Sequence, residues 1–191
     1  MSSTTIRSFV ALDLPSEAQD FLEELINEEK KLYPQAKWVK REQLHLTLHF
    51  FHAFPLGEVE EMNKILEEVS NKFTAFPVTL ERWGAFPSLH RARVVWIGVD
   101  REGEGKIKSI REEVEKGIAA KGWEREDREF SPHITLARFR SPFALPSLGV
   151  ENINFSTEIK KLVFYQSTLT PRGSVYQQLG VFSLEGVKKN E

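Results

Sequence analysis

The chain has 191 residues, of which 40% are hydrophobic, and carries a formal net charge of −2 with a pI of about 6.3. This length is enough for one ordinary domain with a full hydrophobic core, and the nearly balanced charge excludes a polyanion binder of the strongly basic kind. The absence of cysteine excludes a disulfide framework and zinc sites built on thiolates.

The amino-terminal residues 1–5 are polar and lack the basic region and apolar segment of a signal peptide. No run approaches the ~18 apolar residues that a membrane-spanning helix needs. We therefore expect a soluble, cytoplasmic protein without membrane contact, and nothing in the composition requires more than a monomer.

The first part of the chain predicts a strand, a helix and a second strand. Residues 6–14 have an apolar centre typical of a strand that ends at Pro15. Apolar residues then recur at helical spacing until Tyr33, with Ser16 as the expected N-cap. Residues 43–51 are strongly β-forming.

The remaining elements follow from the same periodicities. In chain order they are a helix over 59–69, strands over 76–86 and 93–100, a helix from Ile107 that ends at Gly122, a strand over 131–139, and an antiparallel pair over 162–168 and 175–184 joined by a turn at 171–173.

The pattern His-x-Thr-Leu occurs twice, at residues 45–48 and 133–136. The predicted strand ends at Asp13 and Asp100 are separated by nearly the same number of positions as the two motifs, which suggests a duplicated strand-helix-strand unit. The sequence therefore predicts an α+β fold in one domain, residues 1–191, with two pseudo-equivalent lobes, each a sheet backed by helices.

The two motifs carry the candidate chemistry. Alternate residues share one face of a strand, so His45 should point the same way as Thr47, and His133 the same way as Thr135. One imidazole can act as a base and the other as an acid, while the hydroxyls hold an oxyanion. A single histidine is more often an ordinary core or surface residue, but the duplication favours a phosphate-handling site.

Further segments carry a family resemblance. Besides the two motifs they are Arg138, Phe86-Pro87-Ser88, Val94-Val95-Trp96, the stretch from Ser167 to Gly173, and Tyr176. On these residues the chain resembles the 2H phosphoesterases, and within them the RNA 2′,3′-cyclic phosphodiesterases once named 2′-5′ RNA ligases. The resemblance covers nearly the whole chain. It implies two lobes with antiparallel sheets, a cleft in which the motifs face each other, and opening of cyclic phosphates without metal or other cofactor.

The resemblance also implies a role for each residue. His45 would be the acid and His133 the base, while Thr47, Thr135 and Arg138 would bind the non-bridging phosphate oxygens. The substrate would be RNA with a 2′,3′-cyclic phosphate end or a small cyclic nucleotide. Because the ribose O3′ would lie beside His45, hydrolysis would leave a 2′-phosphate.

Arg138 poses a geometric problem. In an ideal strand it would lie on the face opposite Thr135. We therefore expect it to reach the cleft through strand twist, a bulge or the end of the strand.

The other candidate residues have ordinary alternatives. His49 shares the parity of Thr47 but is expected at the periphery, and His52 and His90 at the surface. Either Phe51 or Phe86 could stack on a base. Four arginines could form a basic rim for an RNA backbone or be scattered over the surface; they are Arg41, Arg91, Arg93 and Arg140. No histidine-carboxylate spacing suggests a metal site.

Two alternative functions remain at this point. The first is a non-catalytic nucleotide- or RNA-binding module that keeps the cleft, although the intact histidines and threonines oppose it. The second is 2′-5′ end-joining, the reverse reaction. Because water is ~55 M and RNA ends are scarce, hydrolysis should dominate in a cleft open to solvent.

Overall fold

The computed structural model describes residues 4–126, 129–146, 153–171 and 173–186. These residues form three α-helices and nine β-strands: β1 Thr5–Asp13, α1 Ser16–Leu32, β2 Lys37–Trp38, β3 His45–Pro55, α2 Val59–Ser70, β4 Phe76–Phe86, β5 Ala92–Val99, α3 Arg101–Ala120, β6 Ile134–Phe143, β7 Phe155–Ile159, β8 Lys161–Thr170 and β9 Gly173–Ser183. None of the helices in these ranges is long and apolar enough to cross a membrane.

All nine strands belong to one antiparallel sheet. Its order is β7-β4-β5-β6-β3-β1-β8-β9, and the short β2 pairs with β6 beside this path. The predicted α+β fold with antiparallel strands is confirmed. The motif strands β3 and β6 are neighbours at the centre of the sheet, where Leu46 pairs with Ile134. Each motif strand is thus the innermost of four strands in its half of the sheet: β6 follows β7, β4 and β5, and β3 precedes β1, β8 and β9. This arrangement is compatible with the predicted two lobes.

One hydrophobic core runs beneath both halves of the sheet. It contains apolar residues of all three helices together with the inward-facing residues of strands from each half. In α3, for example, Ile107, Ile110, Val114 and Ile118 are fully buried, as their helical spacing predicts. A smaller cluster lies on the opposite face of β1 and β8 and includes Phe9 and Tyr165. Because the helices cover one face, the polar residues of the motif strands lie on the other.

The N-cap residues of α1 and α3 were not identified from the sequence. The predicted N-cap Ser16 is wrong, because Pro15 holds that position and its carbonyl accepts the backbone N–H groups of Ala18 and Gln19 at 3.0 and 3.1 Å. In α3 the cap is Asp100, whose carboxylate accepts from two backbone N–H groups of the first turn at 3.2 Å.

Other boundaries also differ from the prediction. A short extended piece was expected at Trp38-Val39, and β2 lies one residue earlier, at Lys37–Trp38. Strand β7 was not predicted, and β6 begins at Ile134, so His133 precedes the strand instead of lying within it. Of the segments used for the resemblance, Arg172 lies outside the described residues.

Candidate active site

The two motifs meet at the centre of the sheet. Because β3 and β6 are antiparallel and Leu46 pairs with Ile134, His45 faces Thr135 across the strands and Thr47 faces His133 in this register. The four polar side chains are half-buried, whereas the leucines and isoleucine between them are buried on the core side. The polar and apolar residues that alternate in each motif therefore lie on opposite faces of the sheet, as predicted.

A cavity of about 760 Å³ opens over these strands, and it is lined by all five predicted site residues, namely His45, Thr47, His133, Thr135 and Arg138. The structure therefore brings the whole predicted set together at one place. Its wall also carries Phe9, Phe50 and Tyr176.

A β-bulge explains how Arg138 reaches the cavity. Thr135 pairs with Trp96 of β5, but Ala137 pairs with Val95, so β6 advances two residues where β5 advances one. As a result Leu136 and Ala137 are both buried, and Arg138 lies on the cavity face with Thr135. Of the three routes expected for Arg138, the bulge is the one observed.

The first motif strand has the same irregularity at the equivalent place. Thr47 pairs with Ala11 and His49 with Val10, so β3 advances two residues while β1 advances one. His49 is thereby turned to the core face, where it is 1% exposed. Phe50 takes the place on the cavity face that Arg138 takes in the other half. The predicted peripheral position of His49 is wrong.

His49 has a buried side-chain partner on α3, Glu115. Its Nδ1 lies 2.7 Å from Oε1 of Glu115, and Arg111 lies 3.3 Å from the same carboxylate. Arg111 also donates through Nε to the carbonyl of Leu48 at 3.1 Å. Through Arg111, helix α3 thus binds the backbone of β3 at the bulge between Thr47 and His49.

The His45 ring is held in place by two polar and two aromatic contacts. Its Nε2 lies 3.0 Å from Oγ1 of Thr47, and the ring also donates to the backbone of Gln43. Phe9 stacks on it at 4.7 Å and the edge of Tyr176 contacts it at 5.5 Å. Burial is the main cause that lowers its pKa to about 4; the Gln43 bond opposes this, and the positive charges across the cavity add to it.

The His133 ring has an equivalent anchor. Its Nδ1 lies 2.7 Å from the carbonyl oxygen of Ser131, and because a carbonyl can only accept, Nδ1 carries the hydrogen. Phe86 contacts the ring edge-on at 5.0 Å. Burial lowers the pKa of His133, the Ser131 bond opposes the shift, and the charge of Arg138 adds to it. In the neutral ring Nε2 therefore has a free lone pair.

Known proteins of one family share this architecture. A family model described as the 2′-5′ RNA ligase superfamily matches residues 14–166. The chain belongs to this superfamily. The match confirms the resemblance inferred from the two motifs.

Named relatives in the superfamily cover most of the chain. The RNA 2′,3′-cyclic phosphodiesterase of Aeropyrum pernix is 37% identical over 153 residues, which is 75% of this chain and 83% of the relative. The protein of the same name from Aquifex aeolicus is 31% identical over 188 residues, or 95% of this chain and 98% of the relative.

Solved structures show the same fold. The crystal structure of TT0787 from Thermus thermophilus superposes with a TM-score of 0.83 at 28% identity and covers 95% of this chain and 99% of that one. E. coli LigT in complex with 3′-AMP superposes with a TM-score of 0.78 at 24% identity and covers 94% of this chain and 98% of that one. At that identity LigT supports the fold alone.

The cavity of this superfamily member contains basic residues that the sequence interpretation missed. Arg7 and Arg125 line it, and the guanidinium of Arg7 lies 4.6 Å from the ring centre of Phe50. Arg7 could have been found from its strand parity, because it is two residues before Phe9 on β1. No comparable signal marks Arg125, which follows the end of α3.

Of the two alternatives left open for the four arginines, a basic rim is not observed at the cavity. Among the described residues that line the cavity, none of the four arginines proposed for the rim is present. Arg41 is instead paired with Asp20 at 2.7 Å. Of the two predicted base-stacking candidates, Phe51 is 2% exposed in the core and is excluded, whereas Phe86 contacts His133. His52, expected at the surface, is exposed and also borders the cavity.

Proposed function

We propose that the protein hydrolyses 2′,3′-cyclic phosphate ends of RNA to 2′-phosphate ends, with His45 and His133 as the acid-base pair. The observation that carries the proposal is that both histidines, both threonines and Arg138 line one cavity. The names of the relatives support the substrate class. We further propose that the protein acts as a cytoplasmic monomer without a cofactor.

In this mechanism the phosphate lies between the two rings. Nε2 of neutral His133 accepts a proton from water as the water oxygen bonds to phosphorus. The bond from phosphorus to O3′ breaks, and protonated His45 gives its proton to O3′. The products are a 3′-hydroxyl and a 2′-phosphate, and each acid-base step contributes ~10²–10⁴ to the rate.

Arg138 and the two threonine hydroxyls bind the non-bridging oxygens. Negative charge on these oxygens grows as phosphorus becomes five-coordinate, so donors that are already oriented stabilise the transition state more than the substrate. The guanidinium can form two parallel hydrogen bonds to a phosphate. The bulge of β6 supports this role, since it turns Arg138 towards the same cavity as Thr135.

The protonation states depend on the substrate. In the free protein the low pKa values of both histidines favour neutral rings at pH 7. An anionic phosphate between the rings attracts a proton and raises both pKa values. The bound substrate therefore promotes the protonated acid that the mechanism needs.

The pH dependence should be bell-shaped, since activity is lost when the acid deprotonates at high pH and when the base protonates at low pH. Because the pKa values of both free histidines lie below 6.5, kcat/KM should be highest on the acid side of pH 6.5. The maximum of kcat should lie at higher pH, because it reports the substrate complex. Rate profiles from pH 4 to 9 test this, and a flat profile between pH 5 and 9 is incompatible with two titrating histidines.

Hydrolysis should also continue in excess EDTA. Within the described ranges no three histidine, aspartate or glutamate side chains are grouped as metal ligands, and two histidines suffice for the proton transfers. The test is turnover of an oligonucleotide that ends in a 2′,3′-cyclic phosphate, with and without chelator. Loss of turnover that a divalent ion restores would refute the mechanism, and tight binding without turnover would favour the non-catalytic module.

A further inference from the structure

A second cavity lies beside the candidate active site. It has a volume of about 420 Å³ and lies between β2, the segment that follows β2, and the turn between β8 and β9. Five residues line both cavities, so the two cavities adjoin each other; they are Val39, Gln43, Arg138, Ser174 and Tyr176. The second cavity is therefore close enough to receive the next part of a chain molecule bound in the first.

The second cavity is basic. Lys37, Lys40 and Arg138 line it, against one carboxylate, Glu42. Glu42 lies 3.9 Å from Lys40, and this exposed pair is loose. In the part of the chain that the structure describes, no carboxylate lies within ion-pair distance of Lys37. Among its described lining residues the cavity thus has a net positive charge.

Lys37 has a defined place in the fold. It pairs with Arg138 across β2 and β6, so the two Cα atoms are about 5 Å apart. Its Nζ lies 3.8 Å from the position that a Cβ would take at Gly173, which brings the ammonium group to the far wall of the cavity. Arg138 lines the first cavity, where the proposed function places the reacting phosphate, and Lys37 is its cationic neighbour in the second.

The remaining wall is apolar and partly aromatic. Trp38, Val39, Val175 and Tyr176 contribute to it. The indole of Trp38 is fixed by its hydrogen bond to the carbonyl of Tyr33 at 3.1 Å. A cavity that combines cations with flat apolar faces suits a single strand of nucleic acid, since its phosphates bind cations and its bases stack.

From these observations we propose that the second cavity binds the phosphodiester on the 5′ side of the terminal nucleotide, with Lys37 as its main cation. The proposal rests on the proposed function and adds to it a second binding subsite, so an oligonucleotide is preferred over a free cyclic mononucleotide. Arg138 then stands between two phosphates, the cyclic one in the first cavity and the next one along the chain in the second.

Two matched dinucleotides test the proposal. Both end in a 2′,3′-cyclic phosphate; one has an ordinary phosphodiester between its nucleosides and the other an uncharged methylphosphonate. The wild-type protein should prefer the charged dinucleotide about fivefold in kcat/KM, which corresponds to one exposed ion pair. This preference should weaken with salt, because one phosphate contact on a single strand contributes a slope of about −0.7 in log-log form.

Lys37→Gln should reduce the preference to less than about twofold, and Lys40→Gln provides a second variant in the same cavity. Lys106→Gln is the matched control, since Lys106 is exposed on α3 and lines neither cavity. It should keep the full preference. The melting temperature of each variant is measured to check that the variant is folded.

The outcomes separate this inference from the proposed function. Equal hydrolysis of both dinucleotides by the wild-type protein would overturn the inference alone. A preference that survives in Lys37→Gln and Lys40→Gln would also overturn it. If neither dinucleotide is hydrolysed, the proposed function fails, and the inference fails with it.

Discussion

His45→Ala and His133→Ala are each expected to lower turnover of RNA that ends in a 2′,3′-cyclic phosphate by on the order of 10² or more. Each variant removes one proton-transfer group, and such groups contribute ~10²–10⁴. Both side chains are half-buried and border the open cavity, so thermal stability should stay close to wild type. The measurements are kcat, KM and the melting temperature of each variant.

The double variant and a surface control sharpen this test. Groups that act together in one step are not additive, so His45→Ala/His133→Ala should be far more active than the product of the two single effects predicts. His90→Ala should behave as wild type, because His90 is exposed and lines neither cavity. A large loss of stability with intact turnover would identify the two histidines as structural residues.

Arg138→Met should lower kcat by on the order of 10², and Thr135→Val by about tenfold, because oriented donors to a developing oxyanion contribute up to ~10³. Both changes keep the approximate volume of the side chain and remove its donors. Arg138→Lys should recover only part of the loss, since lysine keeps the charge but cannot form the two parallel hydrogen bonds.

Arg93→Met is the matched control for Arg138, because Arg93 is exposed on β5 and lines neither cavity. If Arg138→Met raises KM without changing kcat, Arg138 binds substrate and transition state equally, which contradicts its proposed role. An equal effect of Arg93→Met would mean that the loss reflects overall charge.

The sequence was sufficient to predict how each motif is oriented. The alternation in His45-Leu46-Thr47-Leu48 requires that its polar and apolar residues face opposite sides of a strand. The second copy of this pattern indicated two related strands, and β3 and β6 are indeed neighbours at the centre of the sheet. These predictions succeeded because they depend on the period of one strand and on the repeat.

The two bulges could not be predicted from local sequence. A bulge depends on how a strand pairs with its neighbour, here β3 with β1 and β6 with β5. Beyond the bulge, counting alternate residues along one strand therefore assigns side chains to the wrong face. His49 was therefore assigned to the wrong face. Its partner Glu115 lies 66 residues along the chain on α3, and no periodicity connects the two.

The second cavity was missed for a similar reason. The two-residue strand β2 is too short to have a recognisable period, and its position beside β6 depends on tertiary contacts. Lys37 therefore had no sequence signal that distinguished it from a surface lysine. Its pairing with Arg138 and its place in the wall of the second cavity identify it as a residue next to the candidate site.

The most direct test of the central claim is to identify the product formed from an RNA oligonucleotide that ends in a 2′,3′-cyclic phosphate, in the presence of chelator, by phosphorus NMR. In-line attack requires water opposite the leaving oxygen, so the pose of the ribose between His45 and His133 decides which bond breaks. The predicted product ends in a 2′-phosphate. A 3′-phosphate would contradict the assignment of His45 as the acid beside O3′, and an unchanged cyclic end would contradict the proposed hydrolysis itself.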